Sequence, residues 1–151
     1  MTSTFALPCI CSLAEAEVSG SSFAHVVSLV PSTSALLNSH PSRVCVPFAD
    51  VFFPQQPQAP TPADIEQLLA FAPSPRDGLL IHCHAGVSRS TATALGLLAA
   101  WGVDPAEAYT ALHDAHPPGR LFAPNPLVLT LFDNALGLGG ALYETGTRWL
   151  R

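Results

Sequence analysis

Residues 82–90 place a cysteine, a glycine, an arginine and a serine at close spacing: His82-Cys83-His84-Ala85-Gly86-Val87-Ser88-Arg89-Ser90. A thiolate is a strong nucleophile, and a guanidinium group holds two oxygens of a phosphate through parallel N–H donors. Arg89 follows Cys83 by six positions (89 − 83). A loop of that length can curl so that the guanidinium group lies above the thiol. The spacing therefore predicts a nucleophilic site for an oxyanion.

A strand and a helix are predicted on the two sides of this segment. Leu79, Leu80 and Ile81 are apolar and lead into Cys83, and residues 90–101 are typical of a buried helix that ends at a glycine. Ligands of open α/β sheets bind at the carboxyl ends of strands. The turn's backbone N–H groups and the positive end of the helix would form an oxyanion cradle there. Gly86 permits a backbone conformation that a side chain would obstruct.

The same surroundings favour ionisation of the thiol. A cysteine at a helix N-terminus beside an arginine has a lowered pKa. We expect Ser90 to donate a hydrogen bond to the sulfur and His82 to orient the loop backbone. A lone cysteine at a strand end is more often a buried core residue. Gly86, Arg89 and Ser90 at these spacings favour the catalytic interpretation of Cys83.

The rest of the chain alternates strand and helix patterns. Apolar runs predict short strands at 5–11, 25–30, 44–48 and 79–81. Thr61-Pro62, Asp104-Pro105 and Asn125-Pro126 each predict a capped helix start. Residues 54–62 contain too many prolines for a helix or a central strand, which predicts an ordered loop. This order predicts an α/β fold, a single domain over residues 1–151 with a small, mainly parallel central sheet flanked by helices.

Composition and charge exclude several classes of function. The chain has 151 residues, of which 48% are hydrophobic and 11% charged, a balance that supports one packed domain. The formal net charge is −5, and all six basic residues are arginines. Without a basic stripe the chain is not expected to bind nucleic acid. Any phosphate site must be local, built from one or two arginines and backbone N–H groups.

The four cysteines, Cys9, Cys11, Cys45 and Cys83, do not suggest a disulfide framework. The sequence shows no secretory signal and no apolar stretch suited to a membrane, so we expect a cytoplasmic protein with reduced thiols. Cys9 and Cys11 lack a second ligand pair at a zinc spacing and fit a buried strand better, so no metal is expected. A disulfide between an oxidised Cys83 and another cysteine is left open, as is the oligomeric state.

The string His82-Cys83-x-x-Gly86-x-x-Arg89-Ser90 resembles the signature of the protein tyrosine phosphatase superfamily, with every fixed position present. The chain is most similar to small single-domain members of the dual-specificity type and to compact bacterial members. The resemblance implies a P-loop between the buried strand and the helix, a cysteinyl-phosphate on Cys83, and no cofactor. It implies that Arg89 binds the phosphate together with the backbone of His84, Ala85, Gly86, Val87 and Ser88.

The resemblance also implies a general acid on a separate loop. Asp50 is the best match, because it lies 33 residues before the nucleophile (83 − 50) and just ahead of the proline-rich loop. Asp77, in an Asp-Gly turn, and Asp114, on a predicted helix, are weaker candidates. Relatives carry a Pro–Asn pair that supports the active-site loop. Pro124-Asn125 matches that pair, although Asn125 also fits a simple helix cap.

The expected function is that of a phosphomonoester hydrolase. The chain is too short for the tyrosine-recognition loop of larger members, so a protein tyrosine phosphatase with dual specificity fits the sequence. The absence of lysine disfavours a polyanionic inositol substrate. A phosphorylated protein or a small phosphomonoester is therefore expected as partner, and neither nucleic acid nor a membrane is. A rhodanese-type sulfurtransferase and a non-catalytic pseudophosphatase that binds phosphoproteins remain the alternatives.

Overall fold

A parallel sheet forms the centre of the computed structural model, which describes residues 5–151. Within those residues the sheet has four strands: β1 (Cys9–Cys11), β2 (His25–Ser28), β3 (Arg43–Cys45) and β4 (Leu79–His82). The strand order is β1-β4-β2-β3, and every neighbouring pair is parallel. All four residues of β4 are buried, as its continuous apolar run predicts. The predicted α/β fold with a small parallel sheet flanked by helices is confirmed.

The helices begin where the sequence predicts them. Thr61, Asp104 and Asn125 accept hydrogen bonds at their N-caps, and each precedes a proline in the first turn. No helix within residues 5–151 combines the length and apolarity needed to cross a membrane. The α-helices are α1 (Leu13–Ser19), α2 (Ala35–Asn38), α3 (Pro62–Phe71), α4 (Arg89–Ala100), α5 (Pro105–Ala115), α6 (Pro126–Leu136) and α7 (Ala141–Gly146), with 3₁₀ turns at Gly20–Ser22 and Arg148–Leu150.

Three strands are shorter than predicted. The strand expected at 5–11 is limited to Cys9–Cys11, the one expected at 25–30 is His25–Ser28, and the one expected at 44–48 is Arg43–Cys45. The first and the last of these lie close to prolines. Pro8 and Pro47 border these strands, and proline has no N–H group to donate to a strand ladder. The predicted burial of Cys9 is also wrong, because β1 is an edge strand in which Cys9 is exposed and Cys11 buried.

Each face of the sheet packs against its own apolar cluster. The larger cluster contains Val27, Ile81 and Cys83 together with residues from the helices after β3. The smaller cluster lies around Cys11 and Leu80 and contains residues of α1 and α2. Because side chains alternate between the two faces of a strand, the two clusters divide the strand residues between them. Cys83 thus follows β4 on the face that carries α4.

Helix α4 packs closely against α6 because it contains a glycine at the contact. A Cβ atom at Gly96 would lie 2.3 Å from the Phe132 ring, which is fully buried. Gly96 therefore provides space for an aromatic ring between two helices. The packing of α4 matters for the site, because this helix begins at Arg89.

We expect Gly96→Ala to destabilise the protein. An alanine inside an ordinary helix is more stable than glycine by about 0.5–1 kcal/mol. Here overpacking against Phe132 should cost about 1–3 kcal/mol, so the substitution should lower the free energy of unfolding instead of raising it. Urea denaturation measures the difference, and adding Phe132→Leu should make the alanine much less harmful. An unfolding midpoint equal to or above the wild-type value for Gly96→Ala would contradict this packing.

Candidate active site

The segment between β4 and α4, residues 83–88, is called the Cys83 loop below. It lies at the carboxyl end of the central strand β4 and directly before the N-terminus of α4. Three of its carbonyls accept backbone hydrogen bonds from two surrounding segments, while the Gly86 N–H group donates to the Cys83 sulfur. The three backbone bonds run from Leu13 to His84 (3.0 Å), from Ala123 to Val87 (3.1 Å) and from Asn125 to Ser88 (3.1 Å).

Gly86 allows the Cys83 loop to curl tightly against β1. Its φ angle is +72°, in the left-handed region that favours glycine. A Cβ atom at this position would lie 2.8 Å from the carbonyl carbon of Cys11. Both the backbone conformation and the lack of space therefore require glycine. The structure thus supplies the reason for the glycine in the sequence motif.

Hydrogen-bond donors surround the Cys83 sulfur. The Sγ atom lies 3.2 Å from Ser90 Oγ and accepts a hydrogen bond from Gly86 N at 3.3 Å. Burial of Cys83 would by itself raise its pKa, because burial penalises a charge. The Ser90 hydroxyl and the backbone N–H groups of Ser90, Gly86 and Val87 outweigh burial and lower the pKa of the thiol. The loop therefore favours a thiolate at this position.

Arg89 lies at the first turn of α4, beside the Cys83 loop. One terminal nitrogen, Nη1, donates to the Phe48 carbonyl at 2.7 Å. Its Nε atom is buried and has no hydrogen-bond partner within residues 5–151. A buried unpaired donor raises the free energy of the folded state, and an oxyanion would satisfy it. Arg89 is therefore anchored at one end and retains a donor for an anion.

Asp50 is linked directly to the loop. Its Oδ1 atom accepts hydrogen bonds from Ser88 Oγ at 2.8 Å and from Asn125 Nδ2 at 2.7 Å. Asn125 also donates to the Val51 carbonyl at 3.1 Å, while its own Oδ1 accepts the cap bonds of α6. The Asp50 carboxylate is exposed to solvent. Asn125 thus both caps its helix and holds the segment that carries Asp50.

The two weaker acid candidates lie elsewhere. Asp77 precedes β4, at the opposite end of the strand from Cys83. Asp114 is exposed near the end of α5, where its carboxylate lies 3.5 Å from the ring of His113. Neither makes a hydrogen bond to the Cys83 loop among the described residues. Asp50 is therefore the acid candidate that hydrogen bonds join to the Cys83 loop.

The two histidines that flank the cysteine differ in burial. His82 is fully buried, and its Nδ1 atom lies 3.3 Å from the Cys83 carbonyl oxygen. Burial lowers the pKa of His82, so the ring is neutral near pH 7. His84 is exposed on the loop. His82 is thus placed to orient the loop backbone, and His84 lies at its surface.

The backbone of Cys11 lies against Gly86 of the Cys83 loop, whereas Cys9 and Cys45 lie on the edge strands β1 and β3. Cys9, Cys11 and Cys45 are free thiols, as is Cys83. Cys11 packs in the smaller apolar cluster, on the other face of the sheet from Cys83. Burial raises the pKa of Cys11 to about 12, so it stays protonated. Residues 5–151 contain no group of three or more metal-binding side chains that could hold an ion.

Two parts of the site carry no local sequence signal. Trp149, near the C-terminus, donates its indole N–H to the Pro124 carbonyl at 2.9 Å and contacts the Phe52 ring edge-on, with centroids 6.4 Å apart. The C-terminal turn therefore supports the loop after Asp50. Ser28 on β2 is hydrogen-bonded to His82, and Arg43 on β3 is hydrogen-bonded to Ser28. Their positions depend on contacts between distant parts of the chain.

Solved structures of phosphatases share this architecture. DUSP15 aligns with a TM-score of 0.60 at 20% identity, over 90% of this chain and 86% of that chain. The Yvh1 phosphatase domain from Chaetomium thermophilum gives 0.59 at 17% identity, over 91% and 99%. Tk-PTP in its active form gives 0.56 at 17% identity, over 90% and 88%. The chain has the fold of these phosphatases. No protein-family model and no curated protein matches its sequence.

We expect Ser90→Ala to raise the pKa of Cys83. A thiolate only accepts hydrogen bonds, so the hydroxyl at 3.2 Å must be the donor to the ionised sulfur. Its loss should move the pH midpoint of Cys83 alkylation by iodoacetamide upward by about one unit. The matched control is Ser88→Ala, because Ser88 bonds to Asp50 instead. Equal midpoints for Ser90→Ala and the control would contradict this role of Ser90.

Proposed function

We propose that the protein is a phosphomonoester hydrolase of the protein tyrosine phosphatase superfamily. The observation that carries this proposal is the buried Cys83 thiol, whose pKa is lowered by the donors around it. A lowered pKa increases the fraction of the thiol that is present as the nucleophilic thiolate at neutral pH. The unpaired Nε–H of Arg89 and the inward N–H groups of the loop suit a tetrahedral oxyanion. The phosphatase fold of the similar structures agrees with this chemistry.

The first step transfers the phosphoryl group to Cys83. The thiolate attacks phosphorus in line, so an S–P bond forms as the P–O bond to the leaving group breaks. Arg89 and the N–H groups of residues 84–88 hold the three equatorial oxygens. Asp50, as the protonated acid, gives its proton to the departing oxygen. The Ser88 and Asn125 bonds at 2.8 and 2.7 Å fix that carboxyl group beside the loop.

The second step returns the enzyme to its starting state. The Asp50 carboxylate accepts a proton from water as the water oxygen attacks phosphorus. The S–P bond breaks, inorganic phosphate leaves, and the electron pair returns to Cys83. Ser90 Oγ, 3.2 Å from the sulfur, stabilises the departing thiolate. His82 acts through the loop backbone and transfers no proton in either step.

Phosphorylated protein is the substrate that this site suits best. The chain contains no lysine that could pair with further phosphates, so the site suits one phosphate rather than several. Because Asp50 is exposed, the site is shallow. We place phosphotyrosine first, with phosphoserine and phosphothreonine within the reach of a shallow site. Residues 1–151 would act as one cytoplasmic catalytic domain. Assay of thiosulfate sulfurtransfer separates this proposal from a rhodanese-type activity, and lack of turnover by the wild type would favour a pseudophosphatase.

Cys83→Ser should abolish hydrolysis of p-nitrophenyl phosphate and of phosphotyrosyl peptides. A serine hydroxyl at this position stays protonated and is a poor nucleophile. Binding of a phosphotyrosyl peptide, measured by calorimetry, should survive because Arg89 and the loop N–H groups remain. Cys45→Ser is the matched control, since Cys45 is an exposed thiol on the edge strand β3. Turnover near the wild-type rate by Cys83→Ser would end the proposal.

Asp50→Asn should slow hydrolysis most for substrates with poor leaving groups. A good leaving group departs without a proton, whereas an alkoxide needs one, so general acid catalysis counts most for the alkoxide. We expect kcat to fall about 100-fold or more for phosphoserine peptides and much less for p-nitrophenyl phosphate. Asp114→Asn is the control and should retain the wild-type rates. Equal losses on all substrates would mean that Asp50 is not the acid.

A further inference from the structure

A line of polar side chains crosses three adjacent strands and ends at Cys83. Arg43 on β3 donates from Nε to Ser28 Oγ on β2 at 2.8 Å. Ser28 Oγ in turn lies 2.6 Å from Nε2 of His82 on β4. The other ring nitrogen of His82 lies 3.3 Å from the Cys83 carbonyl oxygen. The Arg43 guanidinium on the edge strand β3 is thus connected to the Cys83 backbone through the buried side chains of Ser28 and His82.

The hydrogen-bond donors and acceptors of these side chains determine which atom carries each proton. A guanidinium group only donates, so Ser28 Oγ accepts the bond from Arg43. The Cys83 carbonyl oxygen also only accepts, so the bond to it places the His82 ring proton on Nδ1. A neutral imidazole carries one ring proton, so Nε2 accepts from the Ser28 hydroxyl, whose proton the Arg43 bond leaves free. Arg43 and Ser28 therefore support the Nδ1–H tautomer of His82.

Stability alone does not account for these side chains. Ser28 and His82 are completely buried in a sheet whose other interior positions are apolar. Buried polar groups cost free energy unless they are fully hydrogen-bonded, and Nη2 of Arg43 is buried with no partner in the described part of the chain. Apolar residues would fill this layer at lower cost.

Burial and the nearby Arg43 guanidinium together keep the His82 ring neutral. Burial is the largest influence and lowers its pKa, and the nearby Arg43 guanidinium lowers it further. The hydrogen bond to the Cys83 backbone and the Glu17 carboxylate on α1 act in the opposite direction. Glu17 is itself held by a hydrogen bond from Ser32 at 2.6 Å. A neutral ring can keep Nε2 as an acceptor, as the line requires.

We propose that Arg43 and Ser28 are positioning residues for Cys83. By keeping the Ser28 hydroxyl proton directed at Nε2, they favour the Nδ1–H tautomer of His82, hold the Cys83 carbonyl in place and so keep the loop N–H groups on the sulfur. The proposal rests on Cys83 being the reactive thiol of the proposed function. It concerns ionisation of that thiol, which can be measured without any phosphatase substrate.

The same strand offers a matched control at its other end. His25 at the start of β2 bonds through Nδ1 to Ser42 Oγ at 2.6 Å and to Arg76 Nη1 at 3.2 Å. This is also an arginine–serine–histidine group, but it lies at the amino end of the sheet, away from Cys83. Substitutions in this second group test whether losing any similar set of side chains changes the pH midpoint of Cys83 alkylation.

The experiment follows alkylation of Cys83 by iodoacetamide across pH, resolved from the other thiols by peptide mass spectrometry. Ser28→Ala and Arg43→Met should each raise the midpoint by about half to one pH unit. Ser42→Ala and Arg76→Met should leave the midpoint at the wild-type value. Unchanged midpoints for Ser28→Ala and Arg43→Met, or equal shifts in all four variants, would overturn the proposal.

A second measurement needs no variant and so does not depend on whether a substitution folds. Nitrogen-15 NMR of the wild-type histidines reports which ring nitrogen carries the proton. His82 should show the Nδ1–H form, and the Nε2–H form or a charged ring at pH 7 would overturn the proposal. If these results hold while Cys83→Ser retains turnover, the proposed function fails but the positioning role does not.

Discussion

A negatively charged sulfur in a buried position is stable only where hydrogen-bond donors face it. This single requirement explains the arrangement around Cys83. Burial works against the thiolate, and the Ser90 hydroxyl and the loop N–H groups outweigh it. In the proposed function the same N–H groups bind the phosphate, so one arrangement of donors would serve both the nucleophile and the anion that it attacks.

The rest of the fold keeps those donors turned inward. Strand β4 places Cys83 at the carboxyl end of the sheet, and α4 begins immediately after the Cys83 loop. The first residue of α1 and the segment before α6 bind the loop carbonyls from outside. Gly86 lets the loop approach the end of β1 closely enough for this. The loop is thus held from both sides, so the proposed phosphate site would need little reorganisation on binding.

The acid-bearing segment is attached to the same framework. Asn125 holds the Asp50 carboxylate and the Val51 carbonyl while it caps α6. Phe48, just before Asp50, accepts the hydrogen bond from Arg89. The proline-rich residues that follow are supported by the C-terminal turn through Trp149. One connected set of contacts therefore positions all three proposed functional groups: the nucleophile, the anion-binding arginine and the acid.

Features with local causes could be predicted from the sequence. The caps at Thr61, Asp104 and Asn125 depend on neighbouring residues, and the loop motif depends on spacing within nine positions. The short strands were harder to delimit, because prolines at their borders remove ladder donors. The N-terminal strand was expected over seven residues and has three.

Features that join distant parts of the chain could not be predicted in this way. Ser28 and His82 are 54 residues apart, and Trp149 reaches Pro124 only after α6 and α7 have turned back. The sequence placed Asp50 by its position before a loop. Its hydrogen bonds to Ser88 and Asn125 are visible only in the folded chain. Tertiary packing decides such contacts, and no local pattern encodes them.

The most direct test of a nucleophilic Cys83 is to trap the covalent intermediate. A phosphotyrosyl peptide labelled with phosphorus-32 would be mixed with the wild-type protein and quenched in acid within milliseconds. The account predicts label on the peptide that contains Cys83. The labelled bond should show the chemical stability of an S–P bond rather than that of an O–P ester. Steady release of phosphate with no label on Cys83 at any quench time would contradict it.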